Sequence, residues 1–386
     1  MFSRFFHQKR SLSLALGFAI GLSLLGTHAI ANEPGQFISR YDPAQTTTNS
    51  SFISPLVELF GDVTVGENVF VSGNTIVRAE PETRICIGDE TNLQDNIIFA
   101  VARDQPAPEA PCAEISSSAG ERVSIAHQAV VRNSRIGDFT FIGFHAKLNN
   151  VVLEDGAFVL HGANVANVTI GENRLVPIGA VITSQAEADA LPLKTEDNAE
   201  FQNDVLEVNE EFAEHYGELF EADGFASVTG VSPAPTTSWN TDPVAPALGD
   251  AVQLDEFVRI VGDVRLGANS IVGQRTSIRA DEGAPIIIGD NAEIEDRVTF
   301  HALKGTNIRI GNNLNTDDNV VFHGPLEVGD GLTIADDAIL FRSTVGNHVT
   351  IGAEAIVVGV TLPDGAQVPE RAVITTQEDA DRLMVS

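Results

Sequence analysis

Apolar residues recur every six positions over most of this chain. Leu266, Val272 and Ile278 are six apart, and so are Ile288, Ile294 and Phe300. After a short insertion come Ile310, Thr316, Phe322, Val328, Ile334 and Leu340. Glycine often follows the apolar residue, as in Leu266-Gly267, Ile288-Gly289 and Ile310-Gly311, and earlier in Val65-Gly66, Ile87-Gly88 and Ile136-Gly137. A period of six matches neither the 3.6-residue repeat of a helix nor the simple alternation of a sandwich strand. It matches a parallel β-helix, in which each unit is a short strand plus a corner. Three units then close a triangular coil, with the apolar residue on the axis.

The prism is written twice. Gly61-Asp62-Val63 returns as Gly262-Asp263-Val264, and Ile87-Gly88-Asp89 as Ile288-Gly289-Asp290, both at an offset of 201. Ala180-Val181-Ile182-Thr183 returns as Ala372-Val373-Ile374-Thr375, at an offset of 192. The spacing predicts a first β-helix over 52–192 and a second over 251–386. Between them, Val205, Val208, Phe212, Tyr216, Leu219 and Phe220 form a helical stripe. This predicts a helix over 203–224, with Asn203 as N-cap and Gly224 as stop. Pro233, Pro235, Pro243 and Pro246 make 225–250 an expected extended linker.

Arg4, Lys9 and Arg10 precede an apolar run from Leu12 to Gly26 and a small-x-small site at Ala29-Ile30-Ala31. That layout predicts a secretory signal peptide over 1–31. The run is short for a membrane span of about 20 residues. The expected destination is the periplasm or a comparable lumen, with no membrane association after cleavage. There Cys86 and Cys112 could pair, or remain two separate thiols; two cysteines exclude a disulfide scaffold and a four-cysteine zinc site. With 54 acidic against 23 basic residues the formal charge is −31, which disfavours nucleic acid and anionic lipid as partners.

The six-residue count places polar side chains on faces. Ile278, Phe300 and Phe322 begin one face of the second repeat, called face 1; Ile288 and Ile310 begin face 2, and Ile294 and Thr316 face 3. His301 and His323 each follow the inward residue of face 1, one coil apart, so they are strand neighbours about 4.8 Å apart. Glu282 belongs to face 1 one coil earlier, and face 3 carries Glu295, Asp296 and Asp318. In the first repeat, face 1 shows Arg78, Ala100 and Arg132, and face 3 shows Gln94, Asp95 and His127. The histidines are therefore complementary between the copies.

Several stretches resemble the γ-class carbonic anhydrases, once per copy. In the second copy they are Ile278-Arg279-Ala280-Asp281-Glu282-Gly283, Phe300-His301-Ala302-Leu303 and Val321-Phe322-His323-Gly324-Pro325. In the first they are Asn92-Leu93-Gln94-Asp95, Ser124-Ile125-Ala126-His127-Gln128 and Ile182-Thr183-Ser184-Gln185-Ala186-Glu187-Ala188-Asp189. The resemblance implies a mainly β fold of left-handed parallel β-helices, arranged as trimers of prisms, with metal held between prisms. Two ligands then come from one prism and the third from its neighbour. By that resemblance the second copy keeps His301 and His323 and the proton-transfer glutamate, Glu282. It has Asp318 at the third-ligand position, a possible substitute ligand, and Glu295 in place of a solvent-orienting glutamine. The first copy keeps that glutamine as Gln94 and the third ligand as His127, with Pro81 where the glutamate would be. Arg78 and Asp95, and Arg279 and Asp296, resemble the family's intersubunit ion pair.

The implied reaction is reversible hydration of CO2 to bicarbonate by metal-bound hydroxide. His301, His323 and His127 would bind Zn²⁺ (or Fe²⁺) between face 1 of copy 2 and face 3 of copy 1. Gln94 would orient the hydroxide and Glu282 would export the proton. The ring of three prisms would be completed by self-association or by another γ-type subunit. Two alternatives stand beside this: a non-catalytic assembly or scaffold protein, and, lower, a hexapeptide-repeat acyltransferase. His161, His215 and His348 match no motif.

Overall fold

The computed structural model describes residues 50–102 and 118–383. The signal-peptide segment 1–31 and Cys112 lie outside those residues. Cys86 is disulfide-bonded.

Among the described residues, short parallel strands stack into six sheets, three per copy, so each copy is a triangular prism. In the first, face 3 runs from Phe52–Ile53 to Leu175–Val176, face 1 from Glu58–Phe60 to Val181–Ile182, and face 2 from Asp62–Val65 to Thr169–Ile170. In the second, face 1 has eight strands and faces 2 and 3 have seven each. These are left-handed parallel β-helices. The six-residue register is why they form. Phe300 pairs with Phe322, and Val77 with Phe99 and then Val131, so each axis is a ladder of buried apolar side chains. Each prism has its own core.

The prisms dock on each other, face 3 of the first against face 1 of the second. Ala126, Phe141, Phe144 and Phe158 pack with Val321, Ile339, Phe341 and Ile356. A polar seam runs beside them: Asn74 Nδ2 donates to the Arg275 carbonyl (3.1 Å) and Gln128 Nε2 to the Arg297 carbonyl (2.6 Å). Gly162 turns a corner at φ 65°, and a Cβ there would sit 2.3 Å from Ile356 Cδ1 of the second prism, so a side chain would be strained in the backbone and would force that isoleucine to shift.

Three helices complete the described residues: α1 (Gln185–Asp189), α2 (Glu196–Asp223) and α3 (Gln377–Asp381), with a 3₁₀ turn at Phe225–Ser227. The long helix α2 begins seven residues before the expected start. Its N-cap is Thr195, in a capping box with Asn198, and Asn203 lies inside it. The apolar stripe marks only the part that packs; the first turn carries Glu196 and Asp197, which suit a helix N-terminus. The stretch expected as a free linker is partly built into the second prism. Val231–Ser232 opens its face 1, beside Ile260 and Val261, and Ala247–Leu248 opens its face 2. The prolines fall between these strands, where no ladder donor is required.

Candidate metal centre

On face 1 of the second prism, Arg279, His301, His323 and Phe341 are successive register partners pointing outward toward the first prism. On the first prism, His127 sits at the corner that ends face 3, just after Ser124–Ile125. Docking brings the three imidazoles together. All are buried, and one ligand nitrogen from each lies within 4.8 Å of the others. His127 Nε2 is 3.1 Å from His301 Nδ1.

His127 Nδ1 faces the Asp95 carboxylate at 3.2 Å, which leaves Nε2 toward the other rings. A carboxylate behind an imidazole fixes its tautomer and orientation. His301 Nε2 lies 3.1 Å from Glu282 Oε1 and 3.4 Å from Asp281 Oδ1. Phe144 stacks on His323 at 4.7 Å and on His161 at 4.3 Å, so an aromatic column backs the ligands. Burial pushes His127 down to about 4 despite Asp95, and pushes His323 well below the usual histidine range. Burial and Arg279 also oppose charge on His301, but Glu282 and Asp281 outweigh them and raise it to about 9. Two rings are thus neutral lone-pair donors at pH 7. The third gives up a proton when a cation binds.

The donor set fits a divalent metal. Two nitrogens bound to one zinc at about 2.05 Å sit roughly 3.3 Å apart, close to the His127–His301 separation. Three protein nitrogens with an open position are the pattern of catalytic rather than structural zinc sites. A cavity of about 400 Å³ opens on the rings, lined by His301, His323, Gln94, Glu282 and the apolar Phe141 and Phe144. Gln94 Oε1 is buried without a hydrogen-bond partner. Helix α2 forms the outer wall through Val205, Val208 and Asn209.

Gln94, His127, Glu282, His301 and His323 therefore converge. Asp318 does not. It stands on face 3 of the second prism, where its carboxylate accepts from the Asp296 N–H at 3.1 Å, and the three-histidine cluster lacks it. Faces of one prism diverge, so Asp318 is no substitute ligand for His301 and His323 within this chain; Glu295 shares that outer face. The ion pairs are also re-partnered. Arg279 binds Asp95 of the other copy at 2.7 Å, while Arg78 pairs with Glu80 and Asp296 accepts from Gln274. Arg78 lies on face 1 of the first prism and Asp296 on face 3 of the second, neither of which docks.

The sequence assigns no site role to Asp281, Tyr216, Asn209 or His161. Asp281 was readable: it is two residues after Arg279, hence on the same side of the strand. His161 lies 17 residues, one coil, beyond Phe144, and Phe144 another 17 beyond His127. Tyr216 and Asn209 depend on where α2 docks, which no local pattern reports.

No family model matches the chain. The chain has curated relatives nonetheless. It is 35% identical over 162 residues to the carboxysome assembly protein CcmM of Nostoc sp., covering 42% of this chain and 29% of that one. It is 32% identical over 168 residues to a carbonic anhydrase of Methanosarcina thermophila, covering 39% of this chain and 68% of that one. It is 30% identical over 142 residues to the mitochondrial gamma carbonic anhydrase 1 of Arabidopsis thaliana, covering 36% and 48%. The chain thus spans less than a third of the carboxysome protein it matches. Among solved structures, a hexapeptide transferase family protein from Anaplasma phagocytophilum aligns at 18% identity and TM-score 0.30, over 42% of this chain and 87% of that one. A third of residues shared across two-thirds of a carbonic anhydrase, on two hexapeptide prisms with three imidazoles between them, places this chain in the γ-class carbonic anhydrase family.

Proposed function

We propose that the protein is a metal-dependent carbonic anhydrase whose one complete site lies at the seam between its own two prisms. The observation that carries this reading is the convergence of His127 with His301 and His323, since among the described residues neither copy alone supplies such a cluster. The three imidazoles would hold Zn²⁺ or Fe²⁺. Such an ion lowers the pKa of water to about 7, supplying a nucleophile at neutral pH.

The protein's own groups do the rest. The orphaned Gln94 Oε1 accepts a hydrogen bond from the attacking water and orients it. Glu282, in contact with His301 and lining the cavity, takes the released proton toward solvent. Phe141 and Phe144 keep the CO2 side dry. Bicarbonate leaves past Lys304 and Arg342, two cations lining the cavity of a strongly acidic protein.

We also propose that residues 1–31 export the chain to the periplasm or an equivalent lumen. Arg78 and Arg132 on face 1 of the first prism, and Glu293, Glu295 and Asp317 on face 3 of the second, would receive a third prism between them. It would come from self-association or from another γ-type subunit.

The test is metal content and stopped-flow CO2 hydration of the purified protein beside His127→Ala. About one ion per chain with activity, and loss of both in the variant, is expected. Unchanged metal and rate in the variant would refute the shared site. A second reading, non-catalytic assembly, is favoured by the similarity to a carboxysome assembly protein. It predicts no hydration by the wild type.

A further inference from the structure

Helix α2 grows out of the first prism, yet Tyr216 on it reaches the second. The ring is buried against Phe52 and Phe70 of the first prism, at centroid distances of 5.3 and 5.7 Å. Its hydroxyl donates to Asp281 Oδ2 of the second prism at 2.6 Å. The same oxygen accepts from Arg279 Nε at 3.0 Å, while Trp239 Nε1 donates to the Asp281 carbonyl at 3.1 Å. With Oδ2 held twice and the backbone held once, Asp281 Oδ1 is turned toward His301 Nε2, 3.4 Å away. Both of those atoms are buried and neither has an aligned hydrogen bond. Arg279 continues to Asp95, and Asp95 to His127 Nδ1. One buried chain of polar contacts therefore runs from the phenol to two of the three imidazoles.

We propose that Tyr216 is a positioning residue of the metal centre: by fixing Asp281 it aims that carboxylate at His301, so the first prism's helix completes the second prism's ligand half. The inference rests on reading the three histidines as metal ligands. Packing alone does not call for a tyrosine, because phenylalanine would fill the same space among Phe52, Phe70 and Phe212. A buried hydroxyl needs a partner, and this one has a carboxylate with its free oxygen facing a ligand. Without the hydroxyl, Arg279 is the only side chain among the described residues that donates to Asp281 Oδ2, and Arg279 is shared with Asp95. Loss of a group that orients a ligand typically weakens metal affinity 10–100-fold.

The experiment compares wild type, Tyr216→Phe and Phe220→Ala. Zinc affinity is measured at pH 7 by competition with a chromophoric chelator, and folding is checked by near-UV circular dichroism. Phe220→Ala loosens α2 without touching the polar chain. The expected result is binding 10–100-fold weaker in Tyr216→Phe and within 2-fold of wild type in Phe220→Ala, with all three folded. Tyr216→Phe binding within 2-fold of wild type overturns the positioning role. So does an equal loss in Phe220→Ala, which would make the effect one of packing. Failure of the wild type to bind zinc overturns the metal-site reading, and this inference with it.

Discussion

Arg279 is the point at which docking of the two prisms can be measured. The residue is 3% exposed; its guanidinium reaches Asp95 of the other prism at 2.7 Å and Asp281 of its own at 3.0 Å, and donates to Ser72 Oγ at 3.0 Å. It lies over Phe70 and Phe212 at 5.6 and 5.4 Å. Arg279→Met keeps most of the stem and removes the charge. Two carboxylates, each 0% exposed, then lose their cation. Removing one partner of a single buried pair costs about 3–5 kcal/mol. With two carboxylates stranded, the upper end of that range is expected. Unfolding in urea, with chelator present so that metal does not contribute, reads the loss; guanidinium would screen the interaction under test. The counter-variant adds Asp95→Asn and Asp281→Asn to Arg279→Met. The two amides remove the uncompensated negative charges, so part of the lost stability should return. A loss below about 1 kcal/mol in the single variant, or no recovery in the triple, would show that this triad does not hold the prisms together.

Acid should weaken the fold through histidines outside the metal centre. Burial lowers His145 to about 4, and burial with Arg342 and His127 lowers His161 to about 3. Both are neutral in the folded chain, and the unfolded chain takes up their protons from pH 6.5 downward. Their contribution is complete above 6.5 and falls as pH drops, by up to about 1.4 kcal/mol per pH unit each. His161→Phe, which keeps the stack on Phe144, should flatten the urea-midpoint profile between pH 6.5 and 4.5; an unaltered slope contradicts this. Phe144→Ala removes a fully packed ring between His323 and His161 and should cost about 3–5 kcal/mol, seen in the same urea titration. Zinc at a hundredfold excess over its Kd should add about 2.7 kcal/mol of stability, reversed by chelator. A melting temperature blind to zinc would count against ligands drawn from both prisms.

The two copies divide the labour because a chain connects them. Separate prisms must find each other; joined prisms meet at an effective concentration in the millimolar range for a short linker. Here the connection is stiffer than a loose tether. Its first residues form α2, packed on Phe52 and Phe70, and its later ones, Val231–Ser232, are already a strand of the second prism. One interface, face 3 of the first copy on face 1 of the second, is therefore made within each chain. That interface retains His127, Gln94, Asp95, Arg279, Glu282, His301 and His323. The counterpart faces, face 1 of the first prism and face 3 of the second, do not dock and carry Ala100, Arg132, Asp318 and Glu295 at the matching positions.

That asymmetry also explains what could be read from the residues alone. A six-residue period fixes which side chain points inward, and counting coils then fixes which face each outward side chain occupies. His301 and His323 as neighbours follow from that count because a prism is rigid and repetitive; their meeting with His127 is what the family resemblance adds. The count is blind to whatever leaves the period. Helix α2 obeys a 3.6-residue repeat whose apolar stripe reports that it packs but not on what. Tyr216 therefore looked like one more apolar contact, when its hydroxyl is the part that reaches Asp281. The capping box at Thr195 lies outside the stripe, so the stripe alone places the helix start too late. Partners across the seam were equally hidden, because each copy offers one arginine and one aspartate in the same register. Only the direction of docking decides that Arg279 takes Asp95 and leaves Asp296 on an outer face.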